Sequence, residues 1–302
     1  MVSKLNPEDF RSYRLILDPD DFALGDEEPD PPPTDLVSRE VWEGIMTLPG
    51  DVAIRTTSHQ GTRAAVLHEL WGAWIDVTHP EGIIAEAMAE GGDELEAALF
   101  NLLHGFYKQA IAALRSAIEV MTLGCVCEIA TDTTTWTAWE NGGEIWFKEL
   151  CDKAQRLPAV REYEDEARRK TGTSLFAGDN GSGRNAWARN LYRRISGYSH
   201  TRGTTTNSYL WQSNGPVYSA VGFQHSYNAF LETYVLLLFL AKLGCPGLIR
   251  PREASSIDQI DSRERFLAAP FRALAAHYTA ALFGAKGNPE TTDVRLPNGE
   301  GS

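Results

Sequence analysis

The chain has 302 residues, 43% hydrophobic and 23% charged, a globular balance long enough for a sizeable core. Its formal charge of −13 and pI of about 5.0 exclude a protein that holds nucleic acid through overall charge, while leaving room for a local basic site. Four cysteines, Cys125, Cys127, Cys151 and Cys245, are too few for a disulfide framework and point to reduced thiols and a cytoplasmic location.

Residues 1–57 read as an acidic, Pro-rich arm. The first fifty residues carry 12 acids against four basic residues, and "DEEPDPPPTD" (26–35) suits neither a helix nor a central strand. The opening "MVSKLNPEDF" lacks the apolar core of a signal peptide. Within the arm, "YRLIL" (13–17) predicts a strand, residues 36–47 a short helix, and "DVAIR" (51–55) one more strand.

Residues 58–250 carry a mostly helical pattern. "TRAAVLHELWGAWIDV" sets Leu67, Leu70, Trp71 and Trp74 at i, i+3, i+4 and i+7, one buried face. Asp93 is placed to cap a long helix from residue 94 to about 130, whose 3.6 period runs through Gly105. "EIWFKELCDKAQRL" predicts a third helix ended by Pro158, and "AVREYEDEARRK" a short, solvated, highly charged one. "GSGRNAWARNLYRRISGYSH" predicts a helix over 182–200 opened by Ser182, and "SYLWQSNGPVYSAV" (208–221) a small hairpin turning at "SNGP". The last bundle helix, about 220–244, contains "YVLLLFLA", too short to span a bilayer, and stops at Gly244 and Pro246. Residues 251–284 hold a C-terminal helix with Pro270 in its early turns, and 285–302 lack periodic apolar positions, the pattern of a disordered tail. Long helices with short links predict a mainly α fold: an antiparallel helical bundle with an extended acidic N-terminal arm and an extra C-terminal helix.

The chemistry concentrates in "RNLYRRISGYSHTRG" (189–203). From Asn180 to Leu231, 52 residues, there is no Asp or Glu, yet the window holds Arg184, Arg189, Arg193, Arg194, Arg202, His200 and His225. Arg189, Arg193, Ser196 and His200 are 4, 3 and 4 residues apart and share one helical stripe. Trp187, Leu191, Ile195 and Tyr198 fall on another, apolar face, which predicts that the polar stripe looks outward. An arginine fork binds phosphate bidentately, and a histidine among cations has a pKa below its usual ~6.5, fit for a general base. Together they suit a phosphodiester, and on RNA the substrate's own 2′-hydroxyl is the nucleophile, with no metal required. The bland alternative is a solvated arginine face with a structural histidine.

Other features carry less. "GDNGSGR" (178–184) reads as a linker before a capped helix. The pair Cys125 and Cys127 has no second Cys or His pair at ligand spacing. His225 with Glu232, and His104 beside Gly105, read as packing.

Two segments together resemble the HEPN superfamily, small helical bundles with an Arg-x(4–6)-His motif near the start of a late helix. "YRRISGYSHTRG" is similar to a branch written roughly Tyr-Arg-x-x-Ser-x-x-x-His, and "LLHGFYKQAIAALRSAIE" (102–119) matches an earlier helix of that branch in Gly105, Tyr107, Ala110, Leu114, Arg115 and Glu119. "WFKELCDKAQ", between them, also fits, and the resemblance spans about residues 95–245. It implies a metal-independent endoribonuclease, of a kind found among bacterial toxins and phage-defence effectors, with Arg193 and His200 catalytic and no cofactor. Arg189, Arg194, Ser196, Tyr198 and Arg202 would bind substrate or support the site, and Arg115 with Glu119 would orient the motif helix. RNA is the implied partner, in a homodimer whose motifs face across the interface, with an antitoxin or other defence-system protein as a further partner and no membrane. Active members often carry Asn, Asp or His directly after the motif arginine. Arg194 stands there in this chain, so the alternative is a catalytically silent HEPN-like module that binds a nucleotide, nucleic acid or a partner protein.

Overall fold

The structure, a computed structural model, describes residues 38–75, 81–177, 186–199, 216–248 and 265–283. Regular structure among the described residues is helical: α1 (Arg39–Ile75), α2 (Ile83–Leu103), α3 (Tyr107–Ala130), α4 (Thr133–Glu140), α5 (Phe147–Ala154), α6 (Pro158–Thr171), α7 (Trp187–Ser199), α8 (Ala220–Gly244) and α9 (Ala269–Phe283). The one β-type pairing among them is an isolated parallel bridge between Ser174 and Ala186.

Two helices are apolar on nearly every side and so must be surrounded. They are α3 and α8, each long and apolar enough by length and composition to cross a membrane, with 78% and 83% of their most apolar windows buried inside the bundle. They run parallel. The Tyr107 ring at the start of α3 lies where a Cβ on Gly222 would stand, and Cys125 near its end faces Gly244. Packing around them are α2, α7, α5 and α1, with α9 against α6 and α8. Helices α2 and α3 approach through small residues: a Cβ on Gly124 would stand 2.2 Å from that of Ala87. Leu67, Leu70, Trp71 and Trp74 of α1 are buried on one face, as their spacing requires, and the Trp74 indole donates to the Met88 carbonyl at 3.0 Å. Trp187, Leu191 and Ile195 are fully buried, and Tyr198 packs half-buried against the same core.

Several expectations change. Residues 51–55 form no strand; they continue α1, a helix kinked at Gln60 that absorbs the short helix expected near 36–47. A strand would place Val52 and Ile54 on one face, whereas Val52 is 7% exposed and Ile54 58%. Asp93 caps nothing. Helix α2 has already begun at Ile83, carried by "AEAMAE" through Gly91 and Gly92, which sit against Trp74 and Met121. The long helix expected through Gly105 is two helices, α2 and α3. Gly105 has φ of 80°, and a Cβ there would stand 2.3 Å from the Val217 carbonyl oxygen, so only glycine allows the two segments to meet. Helix α5 ends at Ala154, and Pro158 opens α6 at its first turn, where its fixed φ suits a helix start. Helix α7 begins at Trp187, because Ala186 is held in the bridge to Ser174. Ser182, the 13–17 strand, "GDNGSGR" and the tail lie outside the described residues, as does most of the 208–221 hairpin, of which 216–219 is irregular chain leading into α8.

The charged helix α6 is not merely solvated. Val160, Glu164 and Ala167 fall at i, i+4 and i+7 and are buried. The Glu164 carboxylate accepts the backbone N–H groups of Leu175, Phe176 and Ala177 at 2.7, 3.0 and 2.9 Å, and the Tyr278 hydroxyl at 2.6 Å. The segment so held returns its carbonyls to α7: Ser174 and Leu175 accept from the N–H groups of Trp187 and Ala188, both at 2.9 Å. A first helical turn leaves such donors without intrahelical partners, so the loop acts as the cap of α7. Replacing Glu164 by Ala strands two buried amides, a part-buried one and a tyrosine hydroxyl, and is expected to cost about 3 kcal/mol or more in urea unfolding. A loss under about 1 kcal/mol would show that the loop holds itself.

Candidate functional site

Helix α7 runs antiparallel to α8. Trp187 stands against Phe239 at 5.9 Å between ring centroids, and Arg194, seven residues on, bonds Glu232, seven residues back. The end of α7 therefore points to the bundle end where α3 and α8 begin, near Tyr107 and Ser219. His200 follows the last residue of α7, and both it and Arg202 lie outside the described residues, as does Arg184.

The arginines do not form one open stripe. Arg189 is 16% exposed, its guanidinium bound to Asp152 at 2.5 Å and to the Phe176 carbonyl at 2.8 Å. It anchors the first turn of α7 to α5 and to the Glu164-held loop, which takes it out of the outward-facing set. Arg194 pairs with Glu232, a carboxylate buried in the middle of α8 that also accepts the Trp187 indole N–H at 2.9 Å. The Ser196 hydroxyl oxygen is buried. Helix α7 lies between α3 and α8, so positions flanking its apolar face are covered as well. Arg193 differs: exposed like Arg194, it has no acidic partner among the described residues.

On the other flank, Arg115, Glu119 and Tyr192 join α3 to α7. The Arg115 Nε donates to the Tyr192 hydroxyl at 3.1 Å and to Glu119 at 3.3 Å, its Nη2 donates to Glu119 at 3.1 Å, and the Tyr192 hydroxyl donates to Glu119. Burial and the bond to Glu119 raise the Tyr192 pKa, so the hydroxyl stays a donor at neutral pH. The Tyr192 ring stacks on Phe147 of α5 at 4.0 Å. Sequence reading placed Arg115 and Glu119 beside this helix but missed Tyr192, Asp152 and Glu164. The available signals were a charged residue on the apolar face of α6 and, for Glu232, an acid inside "NAFLETYVLLLFL" within reach of a buried tryptophan that needs an acceptor.

The remaining candidates separate. His225 is exposed while Glu232 is buried, so they form no pair. The His104 ring stacks on Phe100. All four cysteines are free; burial pushes Cys125 up to about 12 and Cys127 up to about 11, so neither is a thiolate at neutral pH. No group of three potential metal ligands occurs among the described residues. Compared with known proteins, the chain matches no family model, no curated protein and no solved structure.

Burial pushes the Glu232 carboxyl above its usual 4.5, opposed by Arg194 and by the Trp187 indole. The native state then binds this proton more tightly than the unfolded chain. The stability it contributes is full below the unfolded value and is lost as pH rises through the raised native value. Urea unfolding of wild type and Glu232→Gln from pH 4.5 upward should show wild type losing stability relative to the variant as pH rises. A wild type that gains on the variant would mean that the Arg194 pairing outweighs burial.

Proposed function

We propose that this protein is a metal-independent endoribonuclease of HEPN type, with Arg193 and His200 as its catalytic residues. The observation that carries the reading is the division of labour on α7: Arg189 and Arg194 are tied to acids of other helices, and Arg193 alone of the three faces solvent without an acid. Arginine held outward on a helix anchored at both flanks can meet a phosphate without first breaking an ion pair. Seven residues separate Arg193 from His200, almost two turns at 3.6 residues each, so a helix continued through His200 would bring both to one side.

In this reading the 2′-hydroxyl oxygen attacks the adjacent phosphorus and the P–O5′ bond breaks. The products are a 2′,3′-cyclic phosphate and a 5′-hydroxyl. His200 takes the 2′-hydroxyl proton, and the leaving 5′-oxygen is protonated by the resulting imidazolium or by water. Arg193 binds the non-bridging oxygens, whose charge grows in the transition state. Arg115, Glu119 and Tyr192 hold the helix that presents them. A role in toxicity or defence, and a homodimer with facing motifs, belong to the same proposal.

One observation favours a second reading. Arg194 occupies the place after the motif arginine and is bound to Glu232, which gives that position a structural task and suits a silent module that binds RNA without cutting it. Single-turnover cleavage with chelator present separates the two. His200→Ala should lower the rate by about 10²–10⁴, and Arg193→Ala by about 10² through lost charge stabilisation. Arg194→Ala should lower the melting temperature more than Arg193→Ala does. Cleavage that survives His200→Ala, or that chelator abolishes in wild type, would overturn the mechanism; RNA binding without cleavage would establish the silent module.

A further inference from the structure

The bundle end toward which α7 points carries ring systems that are stacked in advance and, among the described residues, left open. Phe100, 56% exposed, stacks on His104 with centroids 4.0 Å apart and planes 28° apart. His59, also exposed, stacks on Tyr218 at 5.1 Å and 21°. The two pairs are neighbours. Gly105 meets the Val217 backbone, His104 precedes Gly105, and Tyr218 follows Val217, so the Cα atoms of His104 and Tyr218 lie within about 13 Å at 3.8 Å per residue step.

Each pair is fixed. The Phe100 carbonyl can only accept, so His104 Nδ1, 2.8 Å away, donates to it. The Tyr218 hydroxyl accepts from Gln60 Nε2 at 3.2 Å, and Arg63 holds the Gln60 carbonyl oxygen at 3.2 Å while lying over the Tyr227 ring. The next residue, Ser219, donates its N–H to the Tyr107 hydroxyl at 3.0 Å and caps α8 with its own hydroxyl. Half-buried Arg63 adjoins the His59–Tyr218 pair through Gln60, Lys108 is the second residue of α3, and Glu96 lies one turn before Phe100 on α2.

We propose that this end binds unpaired bases of single-stranded RNA, which stack on Phe100 with His104 and on His59 with Tyr218. The proposal rests on the reading of the chain as an RNA-acting protein and names the form of RNA it takes. Ordered rings with open faces lose little conformational freedom when a base stacks on them, and every base has a π-face, so such sites accept single strands with little sequence preference. Exposed aliphatic residues near the rings include Val217, Val221 and, five residues before His59 on α1, Ile54. His104 Nε2 is left over for a polar group on the base edge or a ribose hydroxyl. Since α7 ends toward the same face, a strand held there would lead its backbone toward Arg193.

The test is fluorescence anisotropy of the full chain carrying His200→Ala, with chelator present. The probes are a labelled short oligoadenylate and the same strand annealed to its complement. The single strand should bind more tightly than the duplex. Phe100→Ala and His59→Ala should each weaken single-strand binding by about tenfold with little change for the duplex, and Phe100→Trp should restore it where Phe100→Leu does not. Both residues are exposed, and circular dichroism melts check that the variants fold. Unchanged single-strand affinity in both alanine variants overturns the proposal, even where wild type cleaves RNA and the ribonuclease reading stands. So does loss of a dimer in Phe100→Ala at unchanged RNA affinity, which would make the face a self-contact. Single-strand binding lost in the variants of a protein that never cleaves supports the proposal and sinks the nuclease reading alone.

Discussion

A buried carboxylate decides where the motif helix sits. Glu164 arises in a helix so charged that it reads as surface, yet its oxygens meet three consecutive amides and a tyrosine hydroxyl. An ionised group taken from water needs that many donors to be tolerated. The amides belong to the loop whose carbonyls cap α7, and the Phe176 carbonyl of the same loop accepts from Arg189 and, at 3.1 Å, from Gln155. Tyr278 brings α9 into the same knot, so the C-terminal helix, α6, the loop and the start of α7 are ordered together.

From there the orientation of α7 follows. Its first turn is fixed by the loop and Asp152, its middle by Tyr192 on one flank, and its buried side by Trp187 and Arg194 on Glu232. Each anchor crosses between helices distant in the chain. Of the three arginines of the acid-free window that lie among the described residues, two are thus neutralised by acids of other helices. Asp152, Glu119 and Glu232 come in from other helices, and Glu232 is the first residue after the window. Among the described residues this leaves one arginine, Arg193, exposed and without an acidic partner on a helix held at both flanks.

The helical architecture was legible because its signal is strong: Leu67, Leu70, Trp71 and Trp74 repeat at helical spacing, and "YVLLLFLA" cannot be anything but buried. Boundaries were harder where tertiary contact overrides local pattern. Nothing in "NLLHGFYKQ" shows that the Val217 backbone arrives at Gly105, and that approach splits one apparent helix into two. The roles of Arg189 and Arg194 were hidden for the same reason, since a charge's partner lies outside any window of helical spacing. Arg115 and Glu119 were within reach because they are an i, i+4 pair, although Tyr192, 73 residues from Glu119, completes their network. Glu232 was visible as an acid among apolar residues, and only the fold shows that it receives both an indole and a guanidinium.

If a histidine–arginine site without metal makes the substrate's own 2′-hydroxyl the nucleophile, as proposed, the chemistry of the cut ends records it. Wild-type protein, freed of metal and held in chelator, is incubated with a labelled single-stranded RNA, and the fragments are resolved before and after opening of cyclic phosphates. The proposed mechanism yields 5′-hydroxyl ends and 2′,3′-cyclic phosphate ends. Fragments bearing 5′-phosphates, or cleavage of a strand whose 2′-hydroxyls are methylated, would contradict it.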